Sequence, residues 1–108
     1  MLTLVCILNL VGCMSTKYTC RVVSDDDLNK NFELSSRDEP FVTDEERDEL
    51  ITKAIRNHLE DLEKQPITFT YEITSTHFGV FENKETILCW VKIVYGEGFT
   101  TILSFIIQ

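Results

Sequence analysis

Glycine and proline are scarce in this chain, with four glycines and two prolines among 108 residues. Collagen-like and low-complexity sequences are rich in these residues, and disordered ones are poor in apolar residues, so all three classes are excluded. Hydrophobic residues make up 44% of the chain and charged residues 26%. The composition therefore indicates one small folded domain with a hydrophobic core, and it leaves no room for two.

Basic residues are also few, because ten lysines and arginines stand against eighteen acids and the net charge is −8. This balance argues against a nucleic-acid-binding protein, which needs a basic face, and against a polybasic membrane-surface protein. Residues 24–49 hold eleven acids and three bases, and therefore carry the whole net charge. Such a segment forms either a solvated acidic face or an acidic docking surface.

No apolar run is long enough to cross a bilayer as a helix, which takes about 20 residues. Residues 1–12 have the length of the apolar part of a signal peptide, but no lysine or arginine precedes them. Residues 10–13 also fit the pattern of a bacterial lipoprotein cleavage site. We therefore divide the chain into an apolar extension or signal-like segment at 1–15 and a domain at 16–108.

The cysteines have no spacing typical of a metal site or a redox motif; they are Cys6, Cys13, Cys20 and Cys89. If the first segment is cleaved, Cys20 and Cys89 remain as a candidate disulfide pair. Otherwise reduced, inert thiols are expected.

One helix is predicted between Thr43 and Pro66. Thr43 and Glu46 have the spacing of a capping box, and acids fill the first turn, where the helix dipole favours them. Apolar residues then recur along one face of this helix, at Leu50, Ile51, Ala54, Ile55, Leu59 and Leu62. Residues 25–40 have few apolar anchors and form either a frayed helix or a loop.

The hydrophobic period changes from helical to two after Pro66. This alternation predicts strands at 67–74, 78–81, 86–95 and 99–107, with hairpin-length connections, after a short strand at 18–24. The fold class is therefore α+β, with an antiparallel β-sheet and one or two helices packed on one face.

Motifs that carry catalysis are missing from the sequence. His58 and His77 lack a second ligand at metal spacing, and Cys89 lies within an apolar strand, where a buried inert thiol is expected. No nucleophile elbow, phosphate-binding loop or dinucleotide fingerprint is present. We predict no enzyme, no cofactor and no metal site.

Residues 78–86 (FGVFENKET) carry a more specific pattern. Phe78-Gly79, the aromatic Phe81 and Glu85-Thr86 resemble the FG-x-aromatic-x-x-x-ET core of the eight-kilodalton cytoplasmic dynein light chains. The element order is similar over about residues 50–107, including a helix that ends in Gln-Pro. The chain departs from that family in the weakly apolar segment 25–40, in a longer connection before Phe78 and in one extra residue after Thr86.

The resemblance implies a non-catalytic, strand-swapped homodimer that binds short extended segments of client proteins by β-augmentation. It implies a cytoplasmic, cytoskeleton-associated protein of the dynein motor complex on microtubules, with the dynein intermediate chain among its partners. The client-docking and dimer strand would hold Phe78, Gly79, Val80, Phe81, Asn83, Lys84 and Glu85. The groove wall would present Trp90 and Lys92, or in the other register Cys89 and Val91, with Arg47 and Asp48 at the rim.

A small secreted α+β protein, such as a cystatin-like inhibitor, is the alternative, because a helix crossing an antiparallel sheet is also that architecture. The Gln-x-Val-x-Gly hairpin motif of those inhibitors is absent. Cleavage of the first segment and a disulfide between Cys20 and Cys89 would favour this alternative. No nucleic acid is expected as a partner, and no membrane unless the first segment is retained.

Overall fold

The computed structural model describes residues 17–36 and 39–108, so the predicted extension at 1–15 lies outside the described residues. A five-stranded antiparallel sheet, curled into a half-barrel, is accompanied by two helices. The α+β class is therefore confirmed. In chain order the elements are β1 (Cys20–Val23), α1 (Asp25–Asn31), β2 (Phe32–Leu34), α2 (Asp44–Glu63), β3 (Phe69–Phe81), β4 (Lys84–Tyr95) and β5 (Phe99–Ile107). The strands lie side by side in the order β1-β5-β4-β3-β2.

Helix α2 begins with the predicted capping box. The Thr43 hydroxyl accepts from the Glu46 amide at 3.0 Å, and the Glu46 carboxylate accepts from the Thr43 amide at 2.8 Å. The helix ends at Lys64, which takes the left-handed conformation with φ of 60°. The prediction of this helix is confirmed at both ends.

The two helices pack on opposite faces of the sheet, which corrects the prediction of helices on one face. Ile51, Ile55 and Leu59 of α2 pack against strand residues that include Ile87 and Val91. Leu28 of α1 instead joins a second cluster, with Val23, Phe81, Leu88 and Ile106. Neighbouring strand residues such as 87 and 88 point to opposite faces, so the two clusters are separated by the sheet. One buried leucine and the cap at Ser24 hold the segment from residue 25 as a short helix.

Strand β3 runs without a break through the predicted gap at residues 75–77. Ile73 pairs with Val91 and Ser75 with Trp90, so Thr74 is an extra residue and forms a β-bulge. The Thr74 hydroxyl donates to the carbonyl oxygen of Trp90 at 3.1 Å. The bulge interrupts the alternation of apolar and polar residues, which is why the sequence predicts two strands here instead of one.

Strands β3 and β4 are joined by a two-residue turn at Glu82 and Asn83. Both residues have positive φ, 55° and 64°, as a type I′ turn requires. Asparagine tolerates this conformation, but glutamate does not favour it. The turn is tight enough to pair Phe81 directly with Lys84.

We expect Glu82→Asn to raise the free energy of unfolding by about 1 kcal/mol, because asparagine adopts positive φ at lower cost. Glu82→Gln is the matched control, since it removes the exposed ion pair with Arg21 but keeps the unfavourable backbone conformation. Urea denaturation measures both variants. A Glu82→Asn protein no more stable than Glu82→Gln would contradict this account of the turn.

Cys20 and Cys89 are both free thiols, on the α2 side of the sheet. Cys20 pairs with Ile107 of β5 and Cys89 with Phe105 of the same strand, so β5 lies between the two cysteines. Two strand spacings and an offset of two residues along β5 separate their Cα atoms by about 11 to 12 Å. That distance is too long for a disulfide, so this fold excludes the Cys20–Cys89 pair.

Both thiols should resist alkylation in the folded protein. Burial raises the pKa of Cys20 to about 12, and burial also raises the pKa of Cys89. In a variant with Cys6→Ser and Cys13→Ser, we expect iodoacetamide at pH 8 to modify neither remaining thiol until urea unfolds the chain. Mass spectrometry counts the adducts, and rapid labelling without urea would contradict the packing.

Candidate functional site

The structure divides the predicted docking strand between two strands and a turn. Phe78–Phe81 ends β3, residues 82 and 83 form the turn, and Lys84 with Glu85 begins β4. The end of β3 pairs with β4 on one side and with β2 on the other, because Phe32, Glu33 and Leu34 face residues 81, 80 and 79. Among the described residues, the end of β3 therefore presents no open edge to a client.

Two of the predicted docking residues have structural roles. Phe81 is only 1% exposed and packs with Leu88 and Ile106 in the α1-side cluster. Gly79 lies against β2, where an added Cβ would approach the carbonyl oxygen of Glu33 and the ring of Phe32. These contacts explain why an aromatic residue and a glycine occupy the two positions.

The predicted groove wall also has a definite orientation in the structure. Cys89 and Val91 are fully buried on the α2 side, so they cannot face a client. Trp90 is half-buried and Lys92 is exposed on the opposite face. In the strand register, Lys92 lies opposite Glu72 of β3. Both lie on a central strand with neighbours on each side, so they offer side chains but no backbone edge.

A small cavity of about 240 Å³ lies beside the predicted docking residues. It opens between the end of β2 and the β3–β4 hairpin, and Phe41 forms one wall. Four of the predicted residues contribute to its lining, namely Phe78, Gly79, Val80 and Glu85. Serines that follow β2 and Thr86 of β4 also line it, and none of these side chains forms a catalytic pair.

One open edge among the described residues lies earlier in β3; residues 99–103 of β5, which β1 does not reach, form another. Strand β3 has 13 residues, and β2 pairs with only the last three. The preceding residues, Phe69–His77, have β4 on one side, and no strand among residues 17–36 and 39–108 pairs with the other. The structure therefore leaves nine consecutive residues of strand edge uncovered.

The hydrogen bonds that close each end of this edge show which backbone groups face outward. Gly96 N–H donates to Thr68 C=O at 3.4 Å, so Thr68 faces β4 and the outward residues are Phe69, Tyr71 and Ile73. Beyond the bulge, Ser35 N–H donates to Phe78 C=O at 3.0 Å, so Phe78 faces β2 and Thr76 faces outward.

The backbone of helix α2 approaches β1 and β5 most closely, and side chains of Phe69 and Tyr71 reach the helix from the open edge of β3. The Thr52 hydroxyl donates to the Tyr71 hydroxyl at 3.3 Å, and the Tyr71 hydroxyl donates to the carbonyl oxygen of Asp48 at 3.5 Å. The guanidinium carbon of Arg56 lies 5.5 Å from the centroid of the Phe69 ring. A cavity of about 330 Å³ separates helix and strand, lined by Thr52, Arg56 and residues 67–71. We call the open edge Phe69–His77, together with Asp48, Thr52 and Arg56 of α2, the edge groove.

The sequence predicts the strand that forms the edge groove, but it does not predict that the edge of this strand lacks a neighbour. The alternation Phe69, Tyr71, Ile73 predicts a strand with one buried face, and nothing in it tells whether a neighbour covers the edge. Thr52 and Arg56 escape sequence reasoning altogether, because polar residues on a helix are expected to face solvent.

Catalytic and membrane-spanning arrangements were sought in the part of the chain that the structure describes. There, His, Cys, Asp and Glu side chains form no group of three or more that could hold a metal ion. Neither described helix is long and apolar enough to span a membrane. Comparison with known protein families, with characterised proteins and with solved structures finds no match for this chain.

Proposed function

We propose that this chain is a non-catalytic binding module that takes up short extended segments of client proteins by strand addition in the edge groove. The observation that carries the proposal is the uncovered edge of β3, which presents nine residues of preformed strand beside a helix. An exposed strand edge is a template for another extended chain, since its N–H and C=O groups are already aligned.

The resemblance to dynein light chains supports the same mode of binding. It adds a homodimer, the dynein intermediate chain as one client, and a cytoplasmic, cytoskeleton-associated location to the proposal; these parts rest on the resemblance alone. Clients are placed on Phe69–His77 instead of the strand from Phe78, because β2 and β4 take both edges of that strand.

The geometry of the edge groove accounts for both affinity and selectivity. The outward groups of Phe69, Tyr71 and Ile73 pair with the client backbone, which gives affinity for any extended segment. Alternate client side chains then point toward α2, where the cavity beside Thr52 receives them. Because helix and edge are joined through Tyr71, the groove is formed before the client arrives, and less ordering is needed on binding.

No comparable observation supports a secreted inhibitor. The disulfide that would favour it is excluded by the sheet register, and the architecture it shares with this chain carries no function by itself.

Amide hydrogen exchange tests the proposal directly. The probe is the tightest binder selected from a phage library of random peptides, about ten residues long, on the full chain. We expect the amides of Phe69, Tyr71 and Ile73 to exchange about tenfold more slowly when the peptide is bound, because they gain hydrogen bonds. The amides of Thr70 and Glu72 already face β4 and serve as internal controls that should not change.

N-methylation of the bound peptide provides an independent test. The peptide is methylated on alternate backbone nitrogens in two phases. The first phase removes the N–H donors that face β3, and the second, shifted by one residue, removes the donors that face solvent. We expect the first phase to abolish binding and the second to preserve it. Binding that survives both phases, or protection that appears outside the edge groove, would contradict strand addition.

A further inference from the structure

Two unpaired cations lie on the helix that borders the edge groove. Arg47 of α2 is held by Asp44 at 3.4 Å and by Asp48 at 3.1 Å. Lys53 and Arg56 are exposed and form no ion pair with any residue in the ranges 17–36 and 39–108. They are three residues apart, so their charges lie on neighbouring surface positions of the helix. They form a small basic patch on a chain whose net charge is −8.

Arg56 lies where its guanidinium can contact a side chain of a bound client. Its guanidinium carbon lies 5.5 Å from the centroid of the Phe69 ring, and the backbone groups of Phe69 face outward at the open edge. A client residue that pairs opposite Phe69 would therefore lie beside this guanidinium. A guanidinium held near an aromatic ring keeps N–H donors that match the two oxygens of a carboxylate.

Acidic side chains on both sides of the basic pair limit where a carboxylate could bind. Asp48 and Glu49 precede Lys53 by about one turn of α2, and Glu60 and Asp61 follow Arg56 by about one turn. A carboxylate shifted along the edge in either direction would meet like charge, which is unfavourable. The favourable position is therefore confined to one register.

We propose that the edge groove selects client segments with a carboxylate opposite Phe69, bound by Arg56 and assisted by the positive charge of Lys53. The carboxylate is either an aspartate or glutamate side chain or the carboxyl terminus of the client. This selection rests on the proposed function, because it names the chemistry of the segment that strand addition would place there.

The peptide selection described above, on random peptides with either free or amidated carboxyl termini, gives the first test. We expect a carboxylate at one fixed position in the selected peptides; enrichment of the free terminus would assign the carboxyl-terminal source, and enrichment of Asp or Glu the side chain. Selected peptides without any preferred carboxylate would overturn the selection rule alone. Failure to select any peptide would overturn the proposed function with it.

Affinity measurements on the selected peptide give the second test. We expect Arg56→Gln to weaken binding about tenfold, and Lys53→Gln less, because the Arg56 contact is a charge-assisted hydrogen bond. Lys30→Gln on α1 is the matched control, with the same charge change on an exposed helix away from the groove, and should leave binding unchanged. Circular dichroism verifies that each variant folds.

A double-mutant cycle separates direct contact from general electrostatics. When the peptide carboxylate is replaced by its amide, Arg56→Gln should cause no further loss, and Arg56→Glu should restore binding to a peptide with lysine at that position. Equal losses for acidic and amide peptides would overturn the assignment of Arg56.

Discussion

Replacing Phe81 by alanine should lower the free energy of unfolding by about 3 to 5 kcal/mol, the range for a large aromatic residue lost from a core. The ring is 1% exposed and packs among Leu88, Ile106 and Leu28, so its removal leaves a cavity where strand and α1 meet. Phe81→Asp should destabilise the fold further, because it buries a carboxylate among apolar side chains and the nearby guanidinium of Arg21, 5.6 Å from the ring centroid, is already paired with Glu82.

Urea denaturation followed by circular dichroism measures these variants, and Phe81→Leu is the control. Leucine keeps the position apolar and removes only part of the volume, so its cost should be much smaller than that of alanine. The resemblance to dynein light chains implies a different role, in which Phe81 lines the client groove. A Phe81→Asp protein that folds normally and loses only client binding would favour that role over the packing described here.

The second large effect is expected at Gly79. A Cβ on this residue would overlap the carbonyl oxygen of Glu33 and the ring of Phe32, so β2 must move for any other residue to fit. We expect Gly79→Ala to cost about 1 to 3 kcal/mol, the typical range for overpacking, and to detach β2 from the edge of β3. Gly79→Val should cost more.

Hydrogen exchange distinguishes local detachment from general loss of stability. In Gly79→Ala, the amide of Ser35, which bonds to Phe78, should lose protection before the amides that join β3 to β4. Val80→Ala is the control, because the neighbouring side chain is 38% exposed and points to the other face of the sheet. Uniform loss of protection across the whole sheet would contradict a local role for this glycine.

The sequence predicts the elements whose signals are local. The capping box at Thr43 and the apolar stripe from Ile51 to Leu59 identify α2, because a helix must bury that stripe and satisfy its first amides. The alternation after Pro66 likewise predicts antiparallel strands. Ser24 before three acids was a usable signal for α1, since its hydroxyl accepts from the Asp27 amide at 3.2 Å.

What the sequence does not predict depends on tertiary pairing. The run from Ser75 to His77 is polar and is predicted as a loop, but all three residues pair with β4 after the bulge. Whether an edge is open depends on how far the neighbouring strand extends, and β2 has only three residues. The residue pattern of β3 carries no information about the length of β2. The FG and ET residues that carry the resemblance at 78–86 also stabilise the fold. The buried Thr86 hydroxyl, for example, donates to the carbonyl oxygen of Lys84 and accepts from the side-chain amide of Gln108.

The bulge at Thr74 changes the spacing of the outward backbone groups along the open edge of β3. From Phe69 to Ile73 the outward groups recur every second residue, a pitch of about 6.6 Å that a straight client backbone shares. The next outward group belongs to Thr76, three residues on, so a client in phase with the first stretch is out of phase with the second. A bound segment then engages a footprint of about five residues, and that footprint coincides with the half of the edge that Thr52 and Arg56 border. Lengthening a client past the bulge would add chain without adding matched hydrogen bonds.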